Sequence, residues 1–75
     1  MNLPKGVSGK ATRRALERAG FVLRRQKGSH MLMYKSDPPS RVVVPDHKQL
    51  KTGTLRAIIR QAGLTVNDFV SLLEQ

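Results

Sequence analysis

The run RRQKGSHMLMYK (residues 24–35) places His30 directly after Gly28 and Ser29, with Arg24, Arg25 and Lys27 before it and Lys35 after it. Imidazole is the side chain type whose proton moves most readily near neutral pH. The flanking cations would draw a phosphate to this edge. Gly28 would let the backbone approach that phosphate closely, and the Ser29 hydroxyl adds a donor. A hairpin turn followed by a half-exposed strand histidine would use the same residues with no chemistry at all, and these three residues alone do not decide between the two.

A second stretch, DHKQLKTGT (residues 46–54), sets His47, Lys48 and Lys51 ahead of an expected helix whose first turn offers the Gly53 and Thr54 amides and the Thr52 hydroxyl. Lysines before a helix N-terminus suit a phosphate. An ordinary helix start with solvated lysines has the same composition. His47, beside Asp46, is less well placed than His30.

The reaction open to such groups is narrow. The chain has two histidines, five scattered carboxylates and no cysteine, and none of them fall at HxxxH, DxD or ExxH spacing, so neither a metal site nor a cofactor is expected. The remaining route to breaking a phosphodiester is attack by RNA's own 2′-OH on the adjacent phosphorus. It requires a proton acceptor, a proton donor and positive charge around the phosphorane, which one imidazole and several Lys or Arg could supply.

The elements that must position these groups follow from periodicity. Residues 1–7, broken by Pro4 and Gly6, read as a flexible lead-in. Ser8 can cap a helix running to about Ala19, with Ala11, Ala15, Leu16 and Ala19 on one stripe and Gly20 as its stop. The pattern then turns strand-like: FVLRRQ and SHMLMY flank a turn expected at Lys27-Gly28, and RVVVP (41–45) follows the SDPPS turn. With a two-residue turn there, Arg25 would face His30, Leu23 would face Leu32, and Phe21 would face Tyr34. His30 would then sit at the polar rim of the core. Leu55, Ile58, Ile59 and Ala62 mark a second helix ended by Gly63, and Thr65 with Asp68 opens a short third one.

The expected architecture is one α+β domain over residues 1–75. A three-stranded antiparallel sheet carries helices on one face in the order α-β-β-β-α, with a C-terminal helix in 65–75. Its formal charge is +9. Residues 1–60 hold all fourteen Lys and Arg against Glu17, Asp37 and Asp46, whereas 61–75 hold none against Asp68 and Glu74. A basic body of this kind favours a polyanion, most simply nucleic acid, or an acidic protein. No apolar run approaches the roughly 18 residues of a membrane span, and no signal peptide is visible, so a cytoplasmic protein without a membrane partner is expected.

Four stretches in series, Ala19 to Phe21, RQKGSH (25–30), VVVPDH (42–47) and LKTGTLRAIIRQAGL (50–64), resemble the HicA family of small mRNA interferase toxins. The resemblance covers about Ser8 to Leu64. It implies a fold like a double-stranded RNA-binding domain, cleavage of mRNA, and neutralisation by a HicB-type antitoxin. It also implies that the catalytic residue is the histidine of the Gly-Ser-His motif, here His30. Gly28 and Ser29 match the positions before it, and Gly53 matches the glycine opening the second helix. The site expected on both grounds is His30 as general acid or base, with Arg25, Lys27, Gly28, Ser29, Lys48, Lys51 and Gly53 toward RNA phosphate. The rival expectation is a basic domain that holds structured RNA by shape without cutting it.

Overall fold

Two residues pin the start of the first helix, and they do so to different partners. The Ser8 hydroxyl caps it by accepting from the Ala11 amide at 3.0 Å, while the Gly9 amide donates to the His47 carbonyl at 2.9 Å. A Cβ on Gly9 would run into the Pro45 carbonyl oxygen, so the helix can approach the end of the third strand only through a residue without a side chain. The computed structural model describes residues 2–75. They form α1 (Gly9–Arg18), β1 (Val22–Lys27), β2 (His30–Ser36), β3 (Pro39–Pro45), α2 (Thr52–Gln61) and α3 (Val66–Leu73). This is the expected α+β order.

The sheet is three-stranded and antiparallel in the order β1-β2-β3. Its register departs from the expected one. The turn residues are Gly28 and Ser29, so Lys27 faces His30 and Arg25 faces Leu32. Only Gly28 takes a positive φ, +58°, which puts the glycine at the first turn position, where a two-residue hairpin with one left-handed residue requires it. The pairings of Arg25 with His30, Leu23 with Leu32 and Phe21 with Tyr34 are therefore replaced.

A β-bulge between Leu23 and Arg25 then shifts the rest of the strand, so that Leu23 faces Met33 and Val22 faces Tyr34. Because strand side chains alternate, the extra residue, Arg24, reverses the parity of β1. Phe21 and Leu23 turn toward the helices, and Arg25 and Lys27 turn away from them.

The buried face carries Met31 and Met33 of β2 with Val42 and Val44 of β3. α1 and α2 lie against it, contributing Ala15, Leu16, Leu55, Ile58 and Ile59 to the same core. His30, Leu32 and Tyr34 occupy the opposite, open face. The placement of His30 at the rim of the core is thus corrected: it is exposed. Both alternations in HMLMY are apolar, and the pattern of β2 alone does not say which one the helices cover.

α3 completes the core rather than trailing from it. Thr65 and Asp68 form the expected reciprocal cap, Phe69 is fully buried, and Arg18 of α1 donates to the Leu72 carbonyl at 2.7 Å. The end of the lead-in is also tied down. Val7 is buried, Leu3 packs on the core, and the Leu50 amide donates to the Val7 carbonyl at 2.8 Å; residue 1 of the lead-in expected over 1–7 lies outside the described residues.

Candidate functional site

His30 opens β2 and is held in place through its backbone. It lies between Lys27 on one side and Pro45 on the other, a row across all three strands. Just beyond it the Asp46 amide donates to the Ser29 carbonyl at 2.6 Å. Gln26 braces the same corner, donating to the Gly28 carbonyl and to an Asp46 carboxylate oxygen, each at 3.2 Å. The turn is thereby fixed to the end of β3, while the imidazole remains in solvent.

The second row is Arg25, Leu32 and Val43, and the third is Val22, Tyr34 and Arg41. Together these rows form a shallow depression of about 280 Å³ lined by Arg25, Lys27, His30, Leu32, Arg41 and Val43. No carboxylate lines it. Three cations around one imidazole on an exposed floor create a positive field that an anion meets before contact, and salt screens it over about 10 Å. A second depression beside it, lined by Arg24, Leu32, Tyr34 and Arg41, shares Leu32 and Arg41 with the first. Here the Arg24 guanidinium carbon sits 4.6 Å from the centre of the Tyr34 ring, within cation–π range.

The expected site residues thus separate into groups. Arg25, Lys27 and His30 are brought together. Gly28 and Ser29 form the turn beside them. Lys51 lines a different depression, with Pro45, His47, Gln49, Leu50 and Thr54. Lys48 and Gly53 line neither. Lys51 is the N-cap of α2 without a side-chain cap bond, and a Cβ on Gly53 would meet nothing within 4 Å. Arg41 was not singled out from sequence, and Arg24 was read there only as one of the cations preceding His30. The alternation of RVVV carried the signal for Arg41, since a residue opposite Tyr34 shares a face with Leu32 and His30. Arg24 required the bulge to be known.

Among the described residues no three His, Asp or Glu side chains converge as a metal site would require, and no helix is long and apolar enough to cross a membrane. The fold and the open face define a small basic α+β protein with a group of cations on one side of its sheet. The model for the HicA toxin of bacterial toxin-antitoxin systems matches residues 9–64, three quarters of the chain, and the chain belongs to that family. It is accordingly the toxin component of a toxin–antitoxin system, with an antitoxin as its partner. No curated protein matches it significantly. The family match ends at Leu64, before α3, although Phe69 of α3 is buried in the common core.

Proposed function

We propose that this toxin is a metal-independent endoribonuclease that cuts mRNA on the open face of its sheet. The observation that carries the reading is the grouping of His30 with Arg25, Lys27 and Arg41 in one depression free of carboxylates. At about 280 Å³ it falls just below the roughly 300–1,000 Å³ of small-molecule pockets, and it is open, which suits one phosphate with its sugar along a longer strand. The RNA 2′-oxygen attacks the adjacent phosphorus as its proton passes to a base, and the 5′-oxygen leaves with a proton from an acid. The products are a 2′,3′-cyclic phosphate and a 5′-hydroxyl. His30 serves one of these two transfers, and Arg25, Lys27 and Arg41 offset the charge that builds on the phosphorane.

Gly28 and Ser29 keep the turn low beside the phosphate. Lys48 and Lys51, with the first-turn amides of α2 that include Gly53, hold phosphate farther along the strand. Acting on mRNA implies a cytoplasmic location. A HicB-type antitoxin that lays acidic groups on this face would exclude RNA. The exposed Val22 and Val43, at 57% and 49%, give such a partner apolar contact.

The test is incubation of the chain and of a His30→Ala variant with labelled single-stranded RNA in EDTA, reading cleavage, product ends and retained binding. Cutting by the parent alone, with a cyclic phosphate on the upstream product and binding preserved within a few-fold in the variant, is the expected result. Binding by both with cutting by neither would leave an RNA-binding module, and a 5′-phosphate on the downstream product would refute attack by the 2′-OH.

A further inference from the structure

The bulge at Arg24 places two successive arginines on the open face, and they do different things. Arg25 points into the depression of His30, whereas Arg24 lies over the Tyr34 ring in the neighbouring one. Arg41 and Leu32 line both. Tyr34 is four residues along β2 from His30, about 13 Å at the rise of an extended strand. A flat aromatic ring with a guanidinium against it, at that distance from a cation-ringed histidine and joined to it by a shared arginine, is the arrangement by which unpaired bases are held in single-stranded nucleic acid sites.

We propose that Arg24 and Tyr34 form a stacking platform for one unpaired base of a single-stranded RNA, close to the nucleotide at His30, with Arg41 bridging the intervening phosphate. The strand then runs along β2, from the Gly28-Ser29 turn toward Tyr34. A base in a duplex is already stacked on both sides, so the platform selects single-stranded over paired RNA. The inference rests on reading the open face as the RNA surface, but it does not depend on His30 being the catalyst.

Tyr34 is the single tyrosine of a chain without tryptophan, so the intrinsic fluorescence of the unmodified protein reports on this ring alone. The experiment titrates the protein with a 2′-O-methyl oligoribonucleotide, which cannot be cut by internal attack. It follows binding by the anisotropy of a label on the RNA and the tyrosine emission in parallel, corrected for absorption by the RNA. Emission should change in step with binding.

A scan of single abasic positions should then find one base whose removal costs about 5- to 150-fold in affinity. Tyr34→Leu should lose a similar factor on the intact oligomer and lose nothing further at that abasic position, while Tyr34→Phe should retain most of the affinity. Binding with unchanged tyrosine emission, or abasic and Tyr34→Leu penalties that simply multiply, would overturn the platform while leaving His30 chemistry untouched. Absence of binding would overturn both. If Tyr34→Leu does not fold, the emission and the abasic scan of the parent protein still decide.

Discussion

The two faces of the sheet are built from alternate residues of the same strands and have opposite fates. Met31, Met33, Val42 and Val44 are buried beneath α1 and α2. His30, Leu32, Tyr34, Arg41 and Val43 stand on the other side with no helix above them. The first set can be judged by volume and packing, because each side chain replaces water with protein contacts. The second contributes little to packing and presents the side chains for which the chemistry is proposed. In a chain this short one covered face supplies the core, and leaving the second bare keeps a rigid, cation-studded surface available to a partner.

This contrast makes its largest prediction at His30. His30→Ala should lower cleavage by about a hundred- to ten-thousand-fold, yet leave thermal unfolding within about 0.5 kcal/mol of the parent, as expected for an exposed side chain. A rate unchanged by the substitution would remove the open face from the chemistry. The converse holds for Phe69, which is fully buried. Phe69→Ala should cost about 3–5 kcal/mol in urea unfolding, much of the stability of a small domain, even though it lies in α3, beyond the family match. A loss under about 1 kcal/mol would mean that α3 is an accessory to the core.

Element order and the main apolar stripes were legible because each rests on a local rule: Ser8 and Thr65 as caps, Gly20 and Gly63 as stops, and a change of period at Phe21. The grouping of the candidate site was legible in part for the same reason, since the Gly-Ser-His motif is contiguous. The faces of the sheet were not. Leu32 with Tyr34 and Met31 with Met33 are equally apolar alternations, and the choice between them falls to the helices, which is tertiary information. A single bulge then decides whether Leu23 shares a side with Arg25 and His30 or turns toward the helices. Arg18 is a further case: on α1 it reads as a solvated cation, and only the fold brings it to the Leu72 carbonyl.

Gly9 probes the covered side at its tightest point. Gly9→Ala would force the Pro45 backbone away from the start of α1, and an overpacked contact of this kind costs about 1–3 kcal/mol. Pro45 also pairs with His30, so the lower melting temperature should be accompanied by a modest loss of cleavage, measured well below the unfolding transition. Full activity at that temperature would show that the His30 row tolerates a shift of β3.

The smallest effect sharpens the comparison most, because it removes the same charge from two places. Arg25 on the open face and Arg14 on α1 are both exposed, and neither truncation should change folding by more than about 0.5 kcal/mol. The net charge falls equally in Arg25→Ala and Arg14→Ala, so any general attraction to RNA weakens equally in both. A direct phosphate contact adds a separate signature, since each one lost reduces the slope of log affinity against log salt by about 0.7 for single strands. Arg25→Ala should show that reduction, with several-fold weaker binding at moderate salt, whereas Arg14→Ala should retain the parent slope. Equal slopes in the two variants would mean that RNA is attracted by the whole basic body, and that the bare face of the sheet is not where it lies.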